Sequence, residues 1–254
     1  MNYLKIQSMG LIDPNAFTLM GASTKRNDES KIGYFGSGLK YAIASLLRNN
    51  IKFKVFSGLT EIKFDCIKTK FRNEEFDVIH INGEKTSITT QMGPSDWNNG
   101  FAPMREIYSN ALDEDEDASI TTINEINPCE DKTTFLIEYK EEIKEFYNNI
   151  KYYFITKDPN VIYVNKQFAL YNTADGFTRL YRKGILCKED KKLKALFSYN
   201  SSSFKINESR ILSDQWSANY DIVNGWKSCT NTNLIKQLII GLSGGNKGYF
   251  EHEL

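Results

Sequence analysis

Two apolar periods alternate along this chain without a regular rhythm. Segments of period two, which suit half-buried strands, interleave with segments of period 3.6, which suit helices. Neighbouring strands recur where a parallel sheet would need a crossover helix between them, so the pattern favours an α+β sandwich over a doubly wound parallel sheet. Strands are expected at 2–7, 51–57, 60–69, 75–82, 86–91, 118–124 and 132–139, and helices at 14–20, 38–50, 102–113 and 140–150. Asn82-Gly83, between two of these strands, is a strong hairpin signal. The remainder reads as strands at 152–156, 161–164, 167–171, 178–187 and 194–205 with helices around 211–223 and 231–242. Two domains are therefore expected, 1–145 and a smaller α+β unit at 146–254.

Charge and cysteine content narrow the class. The 254 residues carry 32 basic and 32 acidic side chains, so no net positive charge indicates a nucleic-acid or polybasic membrane surface. No apolar run approaches the roughly 18 residues that span a bilayer, and the start MNYLKIQSMG lacks the apolar core of a signal peptide. Cys66, Cys129, Cys187 and Cys229 are scattered without a CxxC pair, and read as small buried hydrophobes. His80 and His252 are the only histidines, which leaves little basis for a multi-histidine metal site or a His-based triad. A cytoplasmic protein is expected.

Three segments could carry chemistry. In Lys31-Ile-Gly-Tyr-Phe-Gly-Ser-Gly-Leu-Lys40, three glycines (Gly33, Gly36, Gly38) lead directly into a helix. Glycines permit positive φ and close approach of a ligand, and a helix start offers free N–H groups to an anion. The spacing reverses the Rossmann G-x-G-x-x-G and no G-K-[ST] follows, so the choice is between a phosphate cradle and a flexible loop with a glycine cap. Upstream, Met20-Gly-Ala-Ser-Thr-Lys-Arg-Asn-Asp-Glu-Ser30 is polar and is either a loose connection or a lid. In Arg105-Glu-Ile-Tyr-Ser-Asn-Ala-Leu-Asp-Glu114, helical spacing puts Glu106, Asn110 and Asp113 on one stripe. That stripe is either a solvated face or an arrangement for magnesium chemistry, with an amide oxygen for the hard ion and a carboxylate to polarise water.

Together these segments resemble the GHKL (Bergerat-fold) ATPase superfamily of gyrase B, MutL, chaperone, histidine-kinase and MORC proteins. Glu106-Ile-Tyr-Ser-Asn110-Ala-Leu-Asp113 is similar to the N-box E-x-x-x-N-x-x-D. Leu19-Met-Gly-Ala-Ser-Thr-Lys25 followed by Ile32-Gly-Tyr-Phe-Gly-Ser-Gly-Leu-Lys-Tyr-Ala42 resembles a lid and second glycine box. Asp131-Lys-Thr-Thr-Phe-Leu-Ile-Glu138 resembles the last strand of that domain. The N-box here follows the glycine boxes, so the motif order is rearranged, as in a circular permutation. In Ser8-Met9-Gly10-Leu11-Ile12-Asp13 the glycine of a first box is kept as Gly10, but Ser8 stands where an adenine-reading aspartate would be.

The resemblance implies a Bergerat-like sandwich, with helices on one face of a mixed, mostly antiparallel sheet, and an ATP site using Mg2+. Glu106 would be the catalytic base and Asn110 the metal ligand. Asp113, Gly10, Ser23, Thr24, Lys25, Gly33, Gly36, Ser37, Gly38, Leu39, Lys40 and Thr134 would line the nucleotide. The C-terminal unit would act as a transducer, engaging a protein partner or a second copy of the chain. A nucleotide-sensing module without turnover and a structural or interaction protein of viral or mobile-element origin are the alternatives.

Overall fold

The computed structural model describes residues 2–19, 31–32, 36–95, 97, 100–155, 161–166, 168–173, 175–243 and 248–254. It divides into two compact units, Met1–Asn149 and Ile150–Leu254. Both combine helices with mostly antiparallel sheets, the expected α+β class.

In the first unit the elements run β1 (Tyr3–Met9), a 3-10 turn (Pro14–Phe17), α1 (Gly38–Arg48), β2 (Phe53–Ser57) and β3 (Thr60–Ile62). Then come β4 (Phe64–Phe71), β5 (Glu74–Ile81), β6 (Glu84–Thr89), α2 (Phe101–Glu114), β7 (Ser119–Ile123), β8 (Lys132–Glu138) and α3 (Glu141–Asn148). The main sheet has the order β3-β2-β8-β1-β7, and β4-β5-β6 form a separate meander. Strand β8 is central, and Thr133 through Ile137 are all buried. Its alternation puts Phe135 opposite Ile6 and Val55 on one face, and Leu136 and Thr134 on the other. Each fully buried Leu, Ile or Phe here contributes about 1.5–3 kcal/mol by leaving water.

The run expected as one strand over 60–69 is broken at Lys63. Its N–H goes to the Asn82 side chain (2.9 Å) and its carbonyl takes the Asn82 N–H (2.9 Å), so the chain leaves one sheet for the other. Asn82 (φ 53°) and Gly83 (φ 84°) form the expected hairpin turn.

Helices α1 and α2 pack on each other, and α2 lies on β1. Helix α1 buries Leu39, Ala42, Ile43 and Leu46, while α2 buries Ala102, Met104, Ile107 and Ala111. The segment leading into α2 is fastened to the end of α1. Arg48 donates to the carbonyls of Thr90 (2.7 Å) and Trp97 (3.1 Å), and Ser45 Oγ also donates to Trp97 O (3.1 Å). Gly100 caps α2, and a β-carbon there would come 2.5 Å from Ile143 Cδ1. These contacts fix where α2 starts and hence which of its faces meets α1.

The second unit contains α4 (Ile150–Tyr153), β9 (Val161–Asn165), β10 (Phe168–Asn172), β11 (Phe177–Arg182), β12 (Ile185–Lys194) and β13 (Phe197–Ser201). Helices α5 (Gln215–Lys227) and α6 (Thr232–Ser243) and a 3-10 turn at Phe250–Glu253 complete it. The sheet order is β12-β11-β13-β10-β9, with β11 and β13 the parallel pair. Phe168, Leu170, Leu180, Tyr199, Phe204, Ile222 and Leu234 form its core.

Four expectations are corrected here. Of the strand expected at 152–156, residues 152–155 are not one: α4 runs to Tyr153, and among the described residues there only Phe154 makes a bridge, to Ile185. The run 178–187 is two strands folded back at Lys183-Gly184 (φ 50° and 78°). Helix α5 begins four residues later than expected, at Gln215, where the Asp214 carboxylate accepts the Ser217 N–H (2.9 Å). Of the cysteines, Cys187 and Cys229 are buried but Cys66 is exposed. No helix among the described residues is long and apolar enough to cross a membrane.

Candidate functional site

The stripe on α2 faces the glycine segment. Glu106 is 2% exposed, and a β-carbon added at Gly38 would fall on its carboxylate, 3.2 Å from Cδ. Only glycine at the first position of α1 leaves room for that acid. Two turns further along α2, Asp113 Oδ1 accepts the Ile32 N–H at 2.5 Å, and the Asp113 carbonyl accepts from Lys31 Nζ. The segment from Lys31 to Gly38 is thus pinned to α2 at both ends, by Asp113 and by Glu106. Asn110 stands between them on the same stripe. It is half-buried, and its Nδ2 donates to the Glu106 carbonyl (2.9 Å). With the nitrogen on a carbonyl, Oδ1 is the amide's acceptor atom.

The start of α1 is polar and sheltered. Ser37 is buried at the cap position, yet its side chain makes no capping hydrogen bond. Gly36 has φ 72°, the left-handed conformation that favours glycine. Lys40, 4% exposed, turns back so that Nζ donates to the Gly36 carbonyl at 2.8 Å. Burial lowers the Lys40 ammonium below the usual lysine range. Arg105 Nε lies 3.9 Å from Glu106 Oε1, and the Arg105 guanidinium sits over the Phe101 ring at 5.5 Å.

Gly10 ends β1 with φ 86°, its N–H on Asp131 O (2.9 Å) and its carbonyl taking the Thr133 hydroxyl (2.8 Å). The Met9 N–H donates to Asp115 Oδ2 (2.9 Å), which brings the end of β1 beside the α2 terminus just past Asp113. Ser8 is buried opposite Thr133 in the strand pair. Asp13 is occupied in capping, its Oδ1 accepting the Asn15 N–H (2.8 Å). Thr134 is fully buried, and its hydroxyl accepts from the Gln7 amide (2.9 Å).

The structure therefore brings together Glu106, Asn110, Asp113, Gly36, Ser37, Gly38, Leu39 and Lys40, with Gly10 near the end of α2. Thr134 hydrogen-bonds Gln7. Ser23, Thr24, Lys25 and Gly33 lie outside the described residues. Lys31 and Ile32 as partners of α2, and Asp115 as the partner of Met9, were not among the expected site residues. Lys31 opens the glycine run, but a backbone N–H such as that of Ile32 leaves no mark in a sequence. No protein-family model and no curated protein matches this chain.

The Gly38–Glu106 contact gives a prediction of its own. Gly38→Ala is expected to destabilise the first unit by about 1–3 kcal/mol through overpacking. In a Glu106→Ala background the same change should cost much less, a coupling that a double-mutant cycle in urea would read. Additive effects would place the two residues apart.

Proposed function

We propose that this chain is a magnesium-dependent ATP-binding protein that hydrolyses ATP slowly, with the nucleotide domain in residues 1–145. The observation that carries the reading is the contact just described: Glu106 of the α2 stripe lies against Gly38, where α1 opens, and Asp113 of the same stripe holds Lys31 and Ile32. The likeness of these segments to the GHKL motifs supports the same assignment, in a rearranged order. Function depends on the geometry of a site and not on the order of its parts. A cytoplasmic setting, where Mg-ATP is supplied, fits this reading.

Mg2+ suits the residues present. Among the described residues no three His, Cys, Asp or Glu side chains converge, as a dedicated metal cage would require. Mg2+ usually needs only one or two protein oxygens beside its phosphate and water ligands. Asn110 Oδ1 would be that oxygen, and the ion would supply charge neutralisation across the phosphates. The backbone N–H groups of Gly36 through Leu39, at the positive end of α1, would receive phosphate oxygens. Glu106 would orient the attacking water and take its proton. Asp113 would hold Lys31 and Ile32 in register with the stripe. Residues 146–254 would respond to the nucleotide as a transducer or bind a partner.

A second reading, nucleotide sensing without turnover, is favoured by one observation: the Glu106 carboxylate is sheltered from solvent against Gly38. The test begins with binding. A ligand at 100 times its Kd raises the stability of the folded form by about 2.7 kcal/mol, so Mg-ATP should raise the melting temperature. Chelating magnesium or introducing Asn110→Ala should remove most of that shift. No shift with wild type would sink both readings, whereas a shift without phosphate release would leave the sensing one.

A further inference from the structure

The even charge of the whole chain conceals a division. Residues 150–254 carry 15 basic against 9 acidic side chains, whereas residues 1–149 carry 17 against 23. The second unit is thus basic, with a field that attracts polyanions. On this unit α5 leaves two large rings in water. Trp216 is 78% exposed and Tyr220, one turn later, 56% exposed, although Ala218, Ile222 and Gly225 of the same helix are buried. The ring centres lie 5.9 Å apart and the planes 11° from parallel, so the pair presents a flat apolar step to solvent. The other two tryptophans are packed: Trp97 is 1% exposed, and Trp226 lies against the Phe197 ring (5.2 Å).

Cations border the rings at both ends of the helix. Helical spacing continues the stripe to Lys227, which is exposed, about 16 Å beyond Trp216 by the rise of an α-helix. At the other end Lys188 Nζ donates to Gln215 Oε1 (2.6 Å), next to Trp216, and Lys205 pairs with Asp214 (3.2 Å). Lys188 stands on β12, which carries Lys191, Lys192 and Lys194 further along. The nearby acids are committed within the unit. Glu189 holds Arg179 (2.8 Å) and Lys191 (3.4 Å), Asp190 accepts the Lys192 N–H (2.8 Å), and Asp221 accepts the Ser203 hydroxyl (2.7 Å).

We propose that the outer stripe of α5 binds single-stranded nucleic acid, with bases stacked on Trp216 and Tyr220 and the phosphate backbone held by Lys227 and the lysines of β12. Stacking selects the single strand, because the internal bases of a duplex already have both faces covered. Every base has a π-face, so the surface reads no particular sequence. A protein partner would also cover two exposed rings, but a basic unit complements a chain that carries one negative charge per nucleotide. The surface lies wholly within the second unit and is independent of the ATP reading.

The experiment titrates labelled oligothymidylate and oligouridylate of about ten nucleotides with the full chain, read by fluorescence anisotropy at several salt concentrations. Wild type should bind a single strand more tightly than a duplex of equal length, and the affinity should fall with salt. Trp216→Ala should weaken binding by about tenfold and leave the salt slope unchanged, since stacking releases no counterions. Trp216→Phe should recover part of that loss. Lys192→Gln combined with Lys227→Gln should instead flatten the slope, by about 0.7 for each phosphate contact removed. Binding of either sugar form upholds the proposal, and the tighter of the two tells RNA from DNA. Equal affinity in wild type and Trp216→Ala would overturn it, as would a duplex binding as tightly as the single strand, which would leave a polyanion surface only. Full displacement by Mg-ATP would move the strand to the start of α1 and overturn it while sparing the ATP reading. An oligomer that falls apart in Trp216→Ala, with no strand bound by wild type, would make the rings a protein interface and overturn it.

Discussion

Glu106→Gln is expected to reduce ATP turnover by about 10²–10⁴-fold, the usual worth of a positioned general base. The amide has the carboxylate's shape, so it fills the space beside Gly38 and keeps α1 and α2 in contact. It cannot accept the water's proton. Binding should persist and tighten slightly, since a negative charge next to the start of α1 repels phosphates. Phosphate release and calorimetric affinity, measured side by side, read the two effects separately. Glu106→Ala is the poorer probe because it opens a cavity and takes from Arg105 the carboxylate 3.9 Å away. Equal turnover in wild type and Glu106→Gln would remove Glu106 from the chemistry.

The α2 stripe was legible in the sequence because helical spacing alone puts residues 106, 110 and 113 on one line. That the line would face the glycine segment followed from the family likeness and not from any local pattern. The contact of Gly38 with Glu106, and of Ile32 with Asp113, depends on Arg48 and Ser45 fastening the loop before α2, which no local pattern announces. Lys40 is read from sequence, through the family likeness, as a contact of the nucleotide. Its burial, with Nζ on the Gly36 carbonyl, exists only in the packed protein.

Local propensity also lost to tertiary contacts in Tyr152-Tyr153-Phe154, whose aromatics favour a strand. There the Arg179 guanidinium lies 4.5 Å from the centre of the Tyr152 ring, and the Tyr181 hydroxyl donates to the Tyr152 carbonyl (2.9 Å). The missed turn at Lys183-Gly184 has a simpler cause. Consecutive residues are buried on both sides of it, Thr178–Tyr181 before and Ile185–Cys187 after, so only the glycine marks the reversal.

The largest stability effect is expected in the second unit, from Glu251→Ala. This carboxylate is 4% exposed and collects three donors: the N–H of Leu196 (3.0 Å), the N–H of Phe197 (3.2 Å) and the Tyr199 hydroxyl (2.7 Å). It thereby satisfies the chain where β13 begins and anchors the segment that carries Phe250, itself fully buried against the Tyr199 ring at 5.7 Å. Burial first, and the Glu251 charge second, hold the Tyr199 phenol well above its usual range, so it remains a donor at any ordinary pH. Truncation to alanine strands all three donors. Unmatched buried donors cost about 1–3 kcal/mol each, so the unit should lose on the order of 4 kcal/mol, seen as a lower urea midpoint. Tyr199→Phe, which removes one donor and leaves the other two paired, should cost only about 1 kcal/mol. Comparable losses from the two variants would mean that Tyr199 alone holds the segment, whereas a small loss from Glu251→Ala would mean that the carboxylate is replaceable by water.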